Sequence, residues 1–417
     1  MILTAARVLA SSQAEIITDG AVAVAGARIT YVGQREHAPD GPVRDLGDVT
    51  LLPGLVDCHV HLCADPSAEQ FGSSYASMTD LAPVRTLMIS NALRLLDAGV
   101  TTARDLGSPG SLGTQVRDLL ADSPVAAPRI LAANAPVTVP GGHTWAMGGE
   151  AQGIEGVVAR VRQRAAAGAD VIKVMVTGGF MTPGTNPARA QFSLAELTAL
   201  VEESHTLGLP VTAHALGVEG IERAVRAGAD GIEHCAWVTE NGSRFDPGIA
   251  QAIAAAGVVV CPTMNAACTA ESYCCPWDKR EQVIGNLRRL RAAGVVLIAG
   301  TDCGIPLVPF EGFADCLAVF AEIGMTPREV IGSATTAAAR ACGLGDVTGR
   351  LEPGLAADMI AVPGDPTQET GVLRVPAFVM ARGLEHRVRP RDVRRATAEE
   401  RDRLLSALIA DAAPRRQ

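Results

Sequence analysis

Leu51-Leu52-Pro53-Gly54-Leu55-Val56-Asp57-Cys58-His59-Val60-His61-Leu62 is an apolar run ending in two histidines one residue apart. Its Leu and Val content, with Pro and Gly at the entry, predicts a buried strand. Side chains alternate along a strand, so His59 and His61 project to the same side. Two imidazoles at that spacing can grip one metal ion. The plainer reading of so short a motif is a pair of core histidines, and the rest of the chain decides between the two.

Downstream, strand and helix alternate. Strands are predicted at Leu55–His61, Val100–Asp105, Arg129–Asn134, Val171–Thr177, Pro210–Ala215, Gly231–His234, Val258–Cys261 and Val295–Asp302. The clearest helices between them are Leu81–Ala98, Ile154–Ala167, Leu194–Leu207, Val218–Ala227 and Gln282–Ala293. Ala98-Gly99-Val100, Ala227-Gly228-Ala229 and Ala293-Gly294-Val295 each end a helix on glycine and enter a buried strand at once, which is a short αβ connection. This alternation predicts an α/β fold, a (β/α)8 TIM barrel. A doubly wound sheet is the runner-up, but no Gly-rich phosphate fingerprint follows the first strand.

Upstream, residues 1–50 show short β-type segments separated by turn signals such as Asp19-Gly20. A second β-like region begins at Gly349-Arg350-Leu351-Glu352-Pro353-Gly354. A few strands bury little alone, so the two ends are expected to join in one small flanking β-sandwich domain, residues 1–54 plus 346–395. The barrel then spans 55–345. Residues 396–417 are left for a terminal amphipathic helix, with Glu399 and Glu400 early and Leu404, Leu405 and Leu408 at helical spacing.

Composition bounds the function. The 417 residues are 48% apolar but only 3% aromatic, which suits the small-residue packing of helices on a parallel sheet. A net charge of −9 without a basic stripe argues against nucleic acid as a partner. No run of about 18 apolar residues is present to span a membrane. The start lacks the pattern of a secretory leader, and the ten cysteines are scattered rather than framed as in a small secreted domain. A cytoplasmic protein with reduced thiols is expected, as is a homo-oligomer acting on a small-molecule substrate. The vicinal Cys274-Cys275 pair has no function assigned to it.

In such a barrel chemistry sits at the C-terminal ends of the strands. Those ends offer His59 and His61, Lys173, His214, His234 and Asp302. The chain has eight histidines in all, so a convergence of this kind is not what isolated core histidines would give. Lys173 stands out. A lysine amid Val, Ile and Met on a buried strand must lose its charge or find a partner, and a nearby carboxylate would be the ordinary one. Beside metal-binding histidines an ammonium would repel the metal, whereas a lysine carbamylated by carbon dioxide is an anion with two oxygens.

With these residues in place, the chain resembles the amidohydrolase superfamily, in particular its imidazolonepropionase-like and Xaa-Pro-dipeptidase-like members. The motifs that carry the resemblance cover nearly the whole length. They are Pro53-Gly54-Leu55-Val56-Asp57 with His59 and His61; Gly141-Gly142-His143; Ile172-Lys173 before Gly178-Gly179; Ala213-His214; Ile232-Glu233-His234; Gly300-Thr301-Asp302; and Leu351-Glu352-Pro353-Gly354 with Ala357-Asp358. The resemblance implies two divalent metal ions, zinc expected. His59, His61 and Asp302 would hold one, His214 and His234 the other, and carbamylated Lys173 would bridge them. The peptidase-like branch often carries a further histidine where this chain has Leu216, so no role falls to that position.

The chemistry that follows is hydrolysis. Asp302 is the expected proton shuttle. His143, after the third strand, is the expected contact to the substrate carbonyl. Arg104 and Arg189 are candidates for a substrate carboxylate in fork geometry. Trp237, Met264, Ile305, Leu307, Val308 and Phe310 are the expected apolar lining. The substrate expected is a dipeptide or N-acyl amino acid with an apolar residue beside the scissile bond. A cyclic amide, a lactone or ester, an organophosphate, or a decarboxylation on the same site are the alternatives, because the substrate loops and not the fold decide among them. A barrel without catalysis is disfavoured by the intact ligand set.

Overall fold

The computed structural model describes residues 1–67, 78, 80–271, 273–389 and 397–412. The run read as one strand is two. Val49–Pro53 and Leu55–Val60 part at Gly54 and enter different sheets. A Cβ at Gly54 would collide with the Thr101 side chain, so only glycine fits where the chain passes from one sheet to the next.

The first sheet gathers both chain ends. Its order is Leu384–His386, Phe378–Ala381, Met359–Pro363, Val49–Pro53, Ile2–Leu9, Ile16–Ala25 and Arg28–Gln34, with Val43–Asp45 added beside Ile2–Leu9. Val49–Pro53 runs antiparallel to Met359–Pro363 and parallel to Ile2–Leu9, and so stitches the two ends together. Leu3, Val8, Val22, Leu51, Met359 and Met380 form its apolar face. These strands share one hydrogen-bonded sheet, where two facing sheets of a sandwich were expected.

The remaining strands are parallel, apart from the two-residue Gly242–Ser243. Leu55–Val60, Val100–Asp105 and Arg129–Ala132 form one ladder. Ile172–Met175, Val211–Gly217, Gly231–Thr239 and Val259–Cys261 form another. Single backbone bonds join the two. Val137 N–H donates to Lys173 O and Met175 N–H to Val137 O, each at 2.8 Å. On the other side Ile298 N–H donates to Val260 O and Cys58 N–H to Ala299 O, each at 3.0 Å. The segment expected as the eighth strand, Val295–Asp302, makes only isolated bridges to its neighbours. A left-handed Asp302, φ 60°, stands at the end of the segment.

Helices cover the outside as the glycine-ended pattern predicts, with three more at Leu112–Ala121, Pro247–Ala255 and Phe313–Glu322. Pro247–Ala255 carried its own signal. The Asp246 carboxylate accepts from the N–H groups of Gly248 and Ile249, with proline at the first helical position. Two short helices, Pro327–Ser333 and Thr336–Ala341, follow. The tail helix spans Ala398–Ala412, and the expected residues 413–417 lie outside the described ones. Among the described residues no helix is long and apolar enough to cross a membrane.

Candidate metal centre

His59, His61, His143, Lys173, His214, His234 and Asp302 line one cavity at the C-terminal ends of the parallel strands. His59 Nε2 lies 3.3 Å from His61 Nε2 and 3.3 Å from Asp302 Oδ1, and His61 Nε2 lies 3.1 Å from that same oxygen. These three residues can present one ligand atom each to a single ion. Nearby, His214 Nδ1 and His234 Nε2 are 2.8 Å apart.

The ring nitrogens that do not meet in the cavity are each held. His59 Nδ1 lies 2.8 Å from Glu233 Oε2, and His61 Nδ1 3.4 Å from Gly107 O. His214 Nε2 lies 3.1 Å from Gly178 O and His234 Nδ1 2.8 Å from Thr263 Oγ1. An imidazole whose N–H is given to an oxygen turns its other nitrogen outward as a lone pair, as metal-ligating histidines do. Burial favours the neutral form of His59, His214 and His234. It lowers His59 to about 4 and His234 to about 3, and holds His214 well below the ordinary imidazole range.

Two ligand positions carry backbone strain. His234 and Asp302 have φ of 69° and 60°. Non-glycine residues in that region cost on the order of 1–3 kcal/mol and persist where the surroundings over-determine them. Both side chains line the cavity floor.

Lys173 is 2% exposed, and its Nζ has no hydrogen-bond partner among the described residues. Burial lowers its pKa to about 8, although Glu233 and Asp302 pull the other way. A neutral amine is the form that reacts with carbon dioxide. An orphaned buried amine, set among imidazole lone pairs and a carboxylate, is a poor end state for a lysine and a suitable start for a carbamate. The donor set fits divalent ions of the zinc type.

Glu233 was quoted in a motif without a role. It is fully buried between His59 and Arg104, whose Nη2 lies 2.9 Å from Glu233 Oε1, and Thr212 donates its hydroxyl to the same carboxylate. Burial alone would raise its pKa, but Arg104, His59 and Lys173 together outweigh that and keep it ionised. The signal in the sequence was a charge beside His234 on an apolar strand. The alternation that sends His234 to one face sends Glu233 to another.

Arg104 is therefore not a substrate ligand in this arrangement. Its Nε donates to Cys58 O at 2.8 Å, and the side chain is 5% exposed and does not line the cavity. Arg189 also departs from expectation. It lies at the surface, paired with Glu240. Trp237 is packed away at 1% exposure with its ring 4.8 Å from Phe245. Of the expected apolar lining, Ile305 and Val308 reach the cavity, while Met264, Leu307 and Phe310 do not. The wall comes instead from Met175, Phe180, Met181, Leu216 and Trp277, with Cys274 and Cys275 beside them.

His143 is where the sequence put it, on the cavity. Thr182 Oγ1 accepts from Thr144 N–H at 3.1 Å and lies 2.9 Å from His143 Nδ1. The Thr182 hydroxyl can donate its proton to Nδ1, and in that tautomer the His143 proton sits on Nε2. Burial, with Lys173 nearby, lowers His143 to about 3, so the ring is neutral. A Cβ at Gly179 would lie 2.5 Å from this ring, so Gly179 makes the room that His143 occupies.

Comparison with known proteins agrees with this geometry. Residues 50–384 match the amidohydrolase family. An ochratoxinase from Aspergillus niger is 28% identical, over 90% of this chain and 83% of its own length. An imidazolonepropionase from Ruegeria sp. (strain TM1040) is 27% identical, over 93% and 98%. The crystal structure of a Xaa-Pro dipeptidase with methionine bound in its active site superposes with a TM-score of 0.79. It is 26% identical, covering 92% of this chain and 99% of that one.

Proposed function

The chain belongs to the amidohydrolase family, and on that premise we propose that it is a binuclear metal-dependent hydrolase cleaving an amide C–N bond in a small apolar dipeptide or N-acyl amino acid. The observation that carries this reading is the set of four imidazoles. Each has one nitrogen tied to an oxygen outside the cavity, and the others gather with Asp302 and the unpartnered Lys173 amine at one floor. We read the circuit of parallel strands as the eight-stranded barrel that presents this floor.

His59, His61 and Asp302 would hold one ion and His214 and His234 the second, with Lys173 as the bridging carbamate. Nζ gives up a proton as it bonds to the carbon of carbon dioxide. Two such ions supply Lewis acidity and an activated water at neutral pH. The protein's own groups do the rest. Asp302, whose carboxyl stays well below the ordinary carboxylate range despite its burial, takes the proton of the attacking water and returns it to the departing amine nitrogen. His143 Nε2–H donates to the substrate carbonyl oxygen and supports the charge that develops there. Glu233, fixed by Arg104, keeps the His59 Nδ1 proton in place and so keeps Nε2 turned to the floor.

The walls point to the substrate. Beyond the floor they are mainly apolar, with Thr144, Thr263 and Asn265 among them, and no arginine lines the cavity among the described residues. A charged side chain desolvated there would lack a partner. The relatives named for ochratoxin and for Xaa-Pro dipeptides support an amide next to an apolar group.

Metal-reconstituted protein screened against dipeptides, N-acyl amino acids, lactones and phosphotriesters tests the reading. Turnover of amides with apolar neighbours is expected. Activity on esters alone, or a preference for charged dipeptides, would overturn it.

A further inference from the structure

We propose that the C-terminal helix is part of the substrate site, and that Leu404 and Leu408 on it select amides bearing a bulky apolar group; this rests on the amide-hydrolase reading above. The helix is well started. Thr397 N–H donates to Glu400 Oε2 at 2.8 Å and Glu400 N–H to Thr397 Oγ1 at 3.2 Å, a reciprocal cap. Leu404 and Leu408, four residues apart, fall on one face of it. Both line the cavity whose floor is the metal centre, whereas Leu405 does not.

The helix is attached to the loop that builds the rest of that wall. Arg401 Nη1 donates to Glu271 O at 3.1 Å, and Cys274 Sγ donates to Arg401 O at 3.9 Å. The same loop supplies Trp277, whose ring stacks on Phe180 with centroids 5.8 Å apart. The two leucines, Phe180, Met181 and Trp277 thus surround the mouth with apolar surface. Apart from the residues of the floor, no charged side chain lines the cavity among the described residues. A phenyl or long alkyl group on the substrate would exchange water for these walls, and the gain grows with the area covered. A small substrate reaches the floor without touching the helix.

The test measures a preference. Metal-loaded enzyme is assayed on N-acetylalanine and on two analogues carrying a phenyl group, one on the acyl side and one on the amine side. Binding of 4-phenylbutyrate and of acetate is measured by calorimetry. In Leu404→Ala/Leu408→Ala the kcat/KM ratio of the better phenyl-bearing substrate to N-acetylalanine should fall at least tenfold, chiefly through KM. The affinity of 4-phenylbutyrate relative to acetate should fall with it. Leu404→Trp, which fills the mouth instead of emptying it, should lower the same ratios, and Leu405→Ala should keep them. Unchanged ratios in a double variant that holds its full metal would overturn the proposal. If the parent enzyme cleaves none of the amides and the double variant still loses 4-phenylbutyrate, the hydrolase reading falls while the helix keeps its place in the site.

Discussion

The floor and the mouth of the cavity are built on opposite principles. The floor is charged, buried and borne by strands. Its groups come from the ends of parallel strands, and its four imidazoles are each held by a second contact, as His59 is by Glu233, itself held by Arg104. The mouth is apolar, half-buried and borne by loops and a terminal helix, with contacts such as Trp277 on Phe180. Desolvated charges need fixed partners, because an unpaired one costs several kcal/mol. Apolar surfaces need only proximity. Chemistry therefore sits where geometry is over-determined, and selectivity where it can be changed cheaply.

That contrast breaks first at the floor. Lys173→Ala should lose bound metal and about four orders of magnitude in kcat together, with short carboxylic acids restoring part of both by standing in for the bridge. Asp302→Asn should lose a similar factor while the fold persists. Elemental analysis beside single-turnover assays checks both. A metal-loaded Lys173 variant with ordinary turnover would remove the bridge from the mechanism.

Glu233→Gln probes the layer beneath. It leaves Arg104 buried without its counter-ion, so a loss of about 3–5 kcal/mol in stability is expected, together with a roughly 10- to 100-fold loss in metal affinity. Denaturant titration and competition with a chelator read these. Pairing it with Arg104→Met should restore much of the stability and little of the metal affinity. A change in KM without a change in stability would return Arg104 to the substrate.

In metal-free protein His59 and His234 should remain neutral on acidification. Their depressed values, about 4 for His59 and about 3 for His234, lie below the free imidazole value of about 6.5, so protonation is deferred to lower pH. Ring resonances followed by NMR from neutral pH to about 5 should not titrate at His59 or His234. A midpoint near 6.5 at either ring would mean that the floor is wetter than its burial implies. The smallest effect belongs to the surface. Arg189→Ala should change kcat/KM by less than about twofold, since its partner is Glu240 and not the cavity.

Much of this was legible in the chain. The strands Leu55–Val60 and Val100–Asp105, the helix Val218–Ala227 and the tail helix follow local period and end signals. The eighth strand did not form as a regular strand, because a left-handed residue at Asp302 serves the floor rather than the ladder. Arg104 was misread because a strand-end arginine looks the same whether it turns to substrate or to a buried carboxylate.

His-x-His alternation, a lysine in an apolar strand and a capped terminal helix are properties of neighbouring residues, and the sequence by itself determined them through strand and helix periodicity. Tertiary structure alone decided that Arg104 meets Glu233 across 129 residues, that Arg401 meets Glu271 across 130, and that Leu404 and Leu408 close a cavity begun at His59. Contacts so distant leave no local pattern, because each depends on which surfaces the packed fold brings together.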